Sequence, residues 1–107
     1  MPLLKGTLDV LALKALSWSA MHGFEIAQWL KDRSAGQFTI EQPALLQALH
    51  RMEERGLVVG EWGVSENNRR ARYYRVTSAG RAHLRAETAS LSGSVAALTA
   101  ILSSRGS

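Results

Sequence analysis

Ser65 to Thr77 reads SENNRRARYYRVT, and the fold turns on how this stretch is understood. Its second half, Ala71 to Val76, alternates, so Tyr74 and Val76 share one face and Tyr73 and Arg75 the other. Just upstream, Leu57 to Val64 (LVVGEWGV) is β-rich but interrupted by Gly60 and Gly63, a pattern that suits a bulged or edge strand. Asn67 and Asn68 between the two segments tolerate positive φ. The expectation is a two-stranded hairpin with a tip of five or six residues that carries Arg69 and Arg70. A solvated turn needs polarity, but it does not need this much positive charge.

Upstream of the hairpin the periodicity is helical. Thr7 to Trp18 repeats Leu8, Leu11, Ala12, Ala15 and Leu16 at helical spacing, with Val10, Leu13 and Trp18 adding apolar surface off that stripe. A helix apolar on more than one face must be covered on more than one face, which points to a partner subunit. A second helix is expected over His22 to Arg33, with Ile26, Ala27 and Leu30 as its core stripe and Ser34-Ala35-Gly36 as its stop. His22 beside Gly23 is expected to order the turn before it. The third helix spans Pro43 to Arg55, opened by proline at a first helical position and stopped by Gly56. Leu45, Ala48, Leu49 and Met52 form its buried stripe, while Gln47, His50, Arg51 and Glu54 point away and Leu46 sits at the edge.

Downstream, Thr77 caps a long final helix. Leu84, Thr88, Leu91, Val95, Leu98 and Leu102 form a heptad-like seam along it. Two arrangements bury such a seam: the helix folds back on helix one, or it pairs with a second copy of the chain. The extra apolar face of helix one favours the second. A dimer interface is therefore expected from Leu4, Leu8, Val10 and Leu13 together with the seam.

The chain has 107 residues, a net charge of +4 and no cysteine. That length suits one domain, and the absence of cysteine excludes disulfides and thiolate metal sites. Residues 1–60 balance their charges, so the whole excess lies after Gly60, mostly as arginine. A one-sided arginine excess points to a polyanionic partner. Neither a secretory signal nor a membrane span is expected.

Three helices, a hairpin and a long helix make a mainly α chain with a small β hairpin: a winged helix-turn-helix over residues 1–76, followed by a dimerisation helix over 77–107 packed on the same domain. The third helix would enter a major groove and the hairpin would be the wing. A wing tip beside an inserted helix reaches flanking phosphates, where guanidinium groups bind bidentately. Asn67 and Asn68 can donate to phosphate or to minor-groove acceptors. Arg72, on the strand, either joins them or only flanks Tyr74. Arg81 and Arg85 are expected to decorate the last helix.

LLKGTLDVLALKALS, MHGFEIAQWLKDRS, ALHRMEERGLVVGEW and SENNRRARYYRVTSAGR together resemble the PadR family of bacterial transcriptional regulators, from Leu3 to about Glu87. The resemblance implies a winged-helix repressor that dimerises through its C-terminal helix and binds a pseudo-palindromic operator. In many members a small molecule releases the DNA, so a small-molecule effector joins double-stranded DNA and a second copy as an expected partner. It also implies a cytoplasmic, nucleoid-associated protein. One departure concerns the start of the third helix. Where the family has glycine, threonine, tyrosine and proline, this chain has Pro43, Ala44, Leu46 and Gln47. The hydroxyls that would contact phosphate and base edges are absent. Either the operator differs from the family's usual sites, or DNA contact relies more on the wing.

Gln47 can pair with adenine, and Ala44 or Leu46 can meet a thymine methyl. The expected DNA-contact set is Gln42, Ala44, Leu46, Gln47, His50 and Arg51 on helix three, with Asn67, Asn68, Arg69, Arg70 and Arg72 on the wing. His22, His50 and His83 are scattered without metal-like spacing, and no catalytic constellation is visible, so neither cofactor nor enzyme activity is expected. Trp18, Trp29 and Trp62 could line a flat ligand pocket, though core or half-buried packing is the simpler reading. The competing function is a winged-helix module that binds an acidic protein without specific DNA recognition.

Overall fold

The computed structural model describes residues 6–105. Its elements run α1 (Thr7–Leu16), α2 (Gly23–Arg33), α3 (Gln42–Glu54), β1 (Val58–Val64), β2 (Arg70–Val76) and α4 (Ser78–Ser103). The order matches the expected winged helix. Met21, just before α2, forms an antiparallel bridge to Tyr74, exchanging both backbone hydrogen bonds at 3.1 and 2.9 Å. This bridge pins the entry to α2 against the outer edge of the wing.

Each helix starts and stops where local chemistry satisfies its end groups. His22 caps α2: its Nδ1 accepts from the Glu25 N–H at 3.3 Å, while Glu25 Oε1 accepts from the His22 N–H at 3.1 Å. The reciprocal pair satisfies two otherwise orphaned donors. α3 begins at Gln42, one residue before the expected start, so Pro43 sits inside the first turn, where no intrahelical donor is lost. It ends at Glu54, and the φ of +73° at Gly56 just beyond lets Leu57 N–H reach the Met52 carbonyl at 2.9 Å. Leu57 and Met52 are both buried there. Thr77 then joins three elements: its Oγ1 accepts from Gly80 N–H at 3.0 Å and donates to the Gly56 carbonyl at 2.7 Å, and its N–H donates to Leu57 at 3.1 Å.

The hairpin register is regular from Val58 opposite Val76 to Val64 opposite Arg70. No bulge occurs at Gly60 or Gly63. Both glycines instead make room for side chains on the neighbouring strand. A Cβ at Gly60 would strike the Arg72 guanidinium, and one at Gly63 would strike the Tyr73 ring. The tip is Ser65 to Arg69, closed by Ser65 N–H to Arg69 carbonyl at 2.8 Å, with Asn68 at φ +57°.

α1 corrects an expectation. It ends at Leu16, so Trp18 lies beyond it. Its broad apolar surface is covered within the protomer, because α2, α3, α4 and β2 all pack around it. Leu13 is fully buried in the core, which leaves it no surface for the dimer interface expected of it, and Val10 keeps only 8%. Leu8 is partly buried against the same core. A central helix needs apolar residues on several faces whether or not a second copy is present. Leu4 lies outside the described residues.

α4 divides into two halves. The first is docked: Leu84 packs on the core, and Glu87, Ser90, Leu91 and Ser94 line a cleft with Thr7 and Val10 of α1. Close docking begins at Gly80, where a methyl would collide with the Leu57 carbonyl oxygen. The second half projects. Val95 and Leu98 are each 56% exposed, Ile101 68% and Leu102 84%, and no atom of the described residues lies within 4 Å of where a Cβ at Gly93 would sit. The described residues span 62 Å in their longest dimension against 29 and 21 Å in the others. A 26-residue helix, about 39 Å long, accounts for that elongation.

Candidate nucleic-acid interface

α3 and the wing stand on either side of one open groove, lined by Leu46, Gln47, His50 and Arg51 from the helix and by Trp62, Arg72 and Tyr74 from the sheet. The sheet register explains this placement. Val58, Gly60, Trp62 and Val64 of β1 share a face with Arg70, Arg72, Tyr74 and Val76 of β2. That face is buried at its base by Val58, Tyr74 and Val76 and runs out past the cover of α3 towards the tip. Trp62, Val64, Arg70 and Arg72 are the residues left where the core stops.

Arg72 is the strut between the two walls. Its Nη2 lies 2.6 Å from Glu53 Oε2 of α3, and both side chains are partly screened from solvent. Its guanidinium also lies near the rings of Trp62 and Tyr74, at 5.7 and 5.9 Å. The Glu53 hydrogen bond holds the Arg72 guanidinium above its already high ordinary range, so it stays cationic. The absent side chain at Gly60 is what lets it lie flat.

The sequence-predicted residues separate into engaged and free groups. Gln42 Nε2 donates to the Gly23 carbonyl at 3.2 Å and ties the start of α3 to the start of α2. Arg51 Nη2 lies 3.3 Å from Asp9 Oδ1 of α1, and His50 Nε2 lies 3.1 Å from Glu54 Oε1. Arg72 is held by Glu53. By contrast, Ala44, Leu46 and Gln47 are exposed on α3, as are Asn67, Asn68 and Arg69 at the tip and Arg70 at the start of β2. Among the described residues Arg69 and Arg70 have no carboxylate partner. Arg70 lies over the Trp62 ring at 4.5 Å, which leaves its charge unneutralised.

Three contributors escaped the sequence reading. Phe24, on the first turn of α2, is 73% exposed and faces the groove between α2, α3 and the wing. Trp62 belongs to the groove and not to a shared tryptophan pocket, because Trp18 and Trp29 lie elsewhere, beside Arg33 at 5.8 and 5.0 Å. Glu53 is the third. A charged residue on α3 with no visible partner in sequence gives no sign that it will anchor a strand 19 positions away. Among the described residues no group of three or more His, Cys, Asp or Glu is placed to hold a metal ion, and no helix is long and apolar enough to cross a membrane.

Comparison with known proteins agrees with this architecture. The transcriptional regulator PadR-like family matches residues 12–86. Among solved structures, the chain is similar to a PadR family transcriptional regulator from Eggerthella lenta, at 27% identity over 94% of this chain and 86% of that one, with a TM-score of 0.79. A Streptococcus mutans protein superposes over 100% of this chain and 96% of its own, at 23% identity and a TM-score of 0.84. Bacillus subtilis PadR, solved in complex with operator DNA, shares 15% identity over 77% of this chain and 46% of its own, with a TM-score of 0.68. The last two show a shared fold.

Proposed function

We propose that this chain, which belongs to the PadR-like family of transcriptional regulators, binds a pseudo-palindromic operator as a homodimer and represses transcription there. The observation that carries the reading is a groove in which Leu46 of α3 stands with Arg69 and Arg70, which lack carboxylate partners among the described residues, while Ala44 and Gln47 are exposed on the same helix. In this reading α3 enters the major groove and reads an adenine through Gln47, with Ala44 and Leu46 able to meet a thymine methyl. The wing tip holds phosphates with Arg69 and Arg70 and donates from Asn67 and Asn68. His50, Arg51 and Arg72 stand at the edge of the same face, and each would first exchange or share an internal carboxylate. Gln42 acts through its hold on Gly23, setting the angle between α2 and α3. That the similar Bacillus subtilis PadR was solved with operator DNA supports the partner class.

Residues 1–76 form the DNA-binding unit and residues 77–107 the dimerisation helix in this proposal. The distal half of α4 would pair with its counterpart through Val95, Leu98 and Leu102, with Thr88 and Leu91 at the start of the contact. Leu84 contributes by holding the helix on its own domain. Release by a small-molecule effector rests on the family resemblance. A duplex target places the protein with the bacterial nucleoid.

Retention of an inverted-repeat duplex and of a scrambled duplex, measured across a salt series, tests the reading. Preferential, steeply salt-dependent binding of the repeat is expected. Equal, weak retention of both duplexes would favour an acidic protein as the partner.

A further inference from the structure

Phe24, Leu46 and Trp62 are 73%, 45% and 58% exposed, come from α2, α3 and β1, and open into one groove. Exposed apolar groups gathered from three separate elements differ from single hydrophobes scattered on a surface, which need no explanation. Arg69, Arg70 and Arg72 stand on the rim of this groove. Arg70 lies over Trp62 at 4.5 Å, and Arg72 stands between Trp62 and Glu53. Two carboxylates line the same groove, Glu25, which accepts the His22 N–H in the α2 cap, and Glu66 of the tip, and among the described residues neither pairs with Arg69 or Arg70.

From this arrangement we propose that the groove seats the sugar–phosphate backbone of one DNA strand, with Trp62 and Phe24 packing on deoxyribose while the arginines meet the phosphates. This rests on the DNA-binding reading above. When a helix occupies the major groove and a wing reaches the neighbouring minor groove, the strand dividing the two grooves must pass between helix and wing. Here that passage is floored by the Trp62 indole and the Leu46 side chain. Deoxyribose presents apolar C–H faces between anionic phosphates, and an apolar floor with a cationic rim complements both. Phe24, at the start of α2, extends the floor to the next sugar. Trp62 contacts the strand, and Arg70, which lies over its ring, meets the phosphate from its own place on β2. The missing family hydroxyls on α3 fit this arrangement, since affinity lost at Ala44 and Leu46 is regained from apolar contact.

Apolar contact releases no counterions, so it is separable from phosphate contact by salt. Affinity for an operator duplex is measured from low to high salt for the wild-type chain, Trp62→Ala, Trp62→Phe, Phe24→Ala and Arg70→Ala. Both alanine variants of the aromatics should lower affinity by about tenfold at every salt concentration, giving lines parallel to wild type. Trp62→Phe should regain most of the loss. Arg70→Ala should flatten the line by about one unit of slope. All positions are exposed, and thermal unfolding of each variant confirms that the fold is kept. Unchanged affinity in Trp62→Ala and Phe24→Ala, with the wild type binding normally, would overturn this assignment and leave the DNA reading standing. A Trp62→Ala line as flat as that of Arg70→Ala would also overturn it, because Trp62 would then act only by positioning the arginine. Failure of the wild-type chain to bind any duplex would overturn both.

Discussion

The molecule exposes two apolar surfaces of similar openness and opposite surroundings. In the groove beside the wing, Leu46 and Trp62 are half exposed and arginines stand at their edge. On distal α4, Val95 and Leu98 are exposed to the same extent, yet residues 88–104 carry no charged side chain at all. Exposure alone therefore says little about the partner. The charge around the patch says more: a cationic rim suits a polyanion, and an uncharged strip suits another strip of the same kind. Depth differs too. The groove is built from three elements braced by the Arg72–Glu53 pair, whereas distal α4 is a single helix whose Val95, Leu98, Ile101 and Leu102 are left exposed by the described residues.

The sharpest way to break this contrast is to put a charge on the uncharged strip. Leu98→Asp should weaken self-association by more than a hundredfold, on the order of 3 kcal/mol, because an unpaired carboxylate would be buried between helices. Sedimentation should show a monomer whose helical content is unchanged, since Leu98 touches little of its own protomer. Operator affinity should fall with it. A dimer that survives this change would show that α4 is not the pairing surface.

The complementary change removes charge from the other surface. Arg69→Ala with Arg70→Ala should flatten the plot of log affinity against log salt by about two units, one per lost phosphate contact, for specific and scrambled duplexes alike. The dimer should be unaffected. Gln47→Ala should leave that slope alone and relax preference at one base position, at a cost of ~1–3 kcal/mol there. Binding to a panel of single-base operator variants measures it.

Two glycines sharpen the division within α4 itself. Gly80→Ala should destabilise the fold by ~1–3 kcal/mol, because the new methyl collides with the Leu57 carbonyl. Gly93→Ala should stabilise by about 0.5–1 kcal/mol, because it adds helix propensity in open space and lies off the seam. Thermal unfolding reads both, and the opposite signs are the prediction.

Much of this was legible in the sequence. Helical spacing of Leu45, Ala48, Leu49 and Met52, the stop at Gly56 and the alternation through Tyr74 and Val76 each reflect local rules, and each appears in the structure. The exposed tip with Arg69 and Arg70 follows from the same rules. What stayed hidden depends on relations between elements. The register that sets Arg72 against Gly60 and Trp62 cannot be read without knowing which residues pair. Nor can Glu53 be told from any other exposed carboxylate until β2 is placed beside α3. The error at Leu13 has the same origin. A helix apolar on several faces looks alike whether its neighbours come from its own chain or from a second copy. Phe24 was invisible because exposure at the first turn of α2 is fixed by where the wing ends.

Selection of bound duplexes from a random pool tests the central claim most directly, because it asks for partner, symmetry and reading helix at once. The account predicts enrichment of an inverted repeat whose half-sites lie about one helical turn, ~34 Å, or a multiple apart, with a strongly preferred base at the position facing Gln47. Enrichment of no sequence, or of a single asymmetric site, would contradict it.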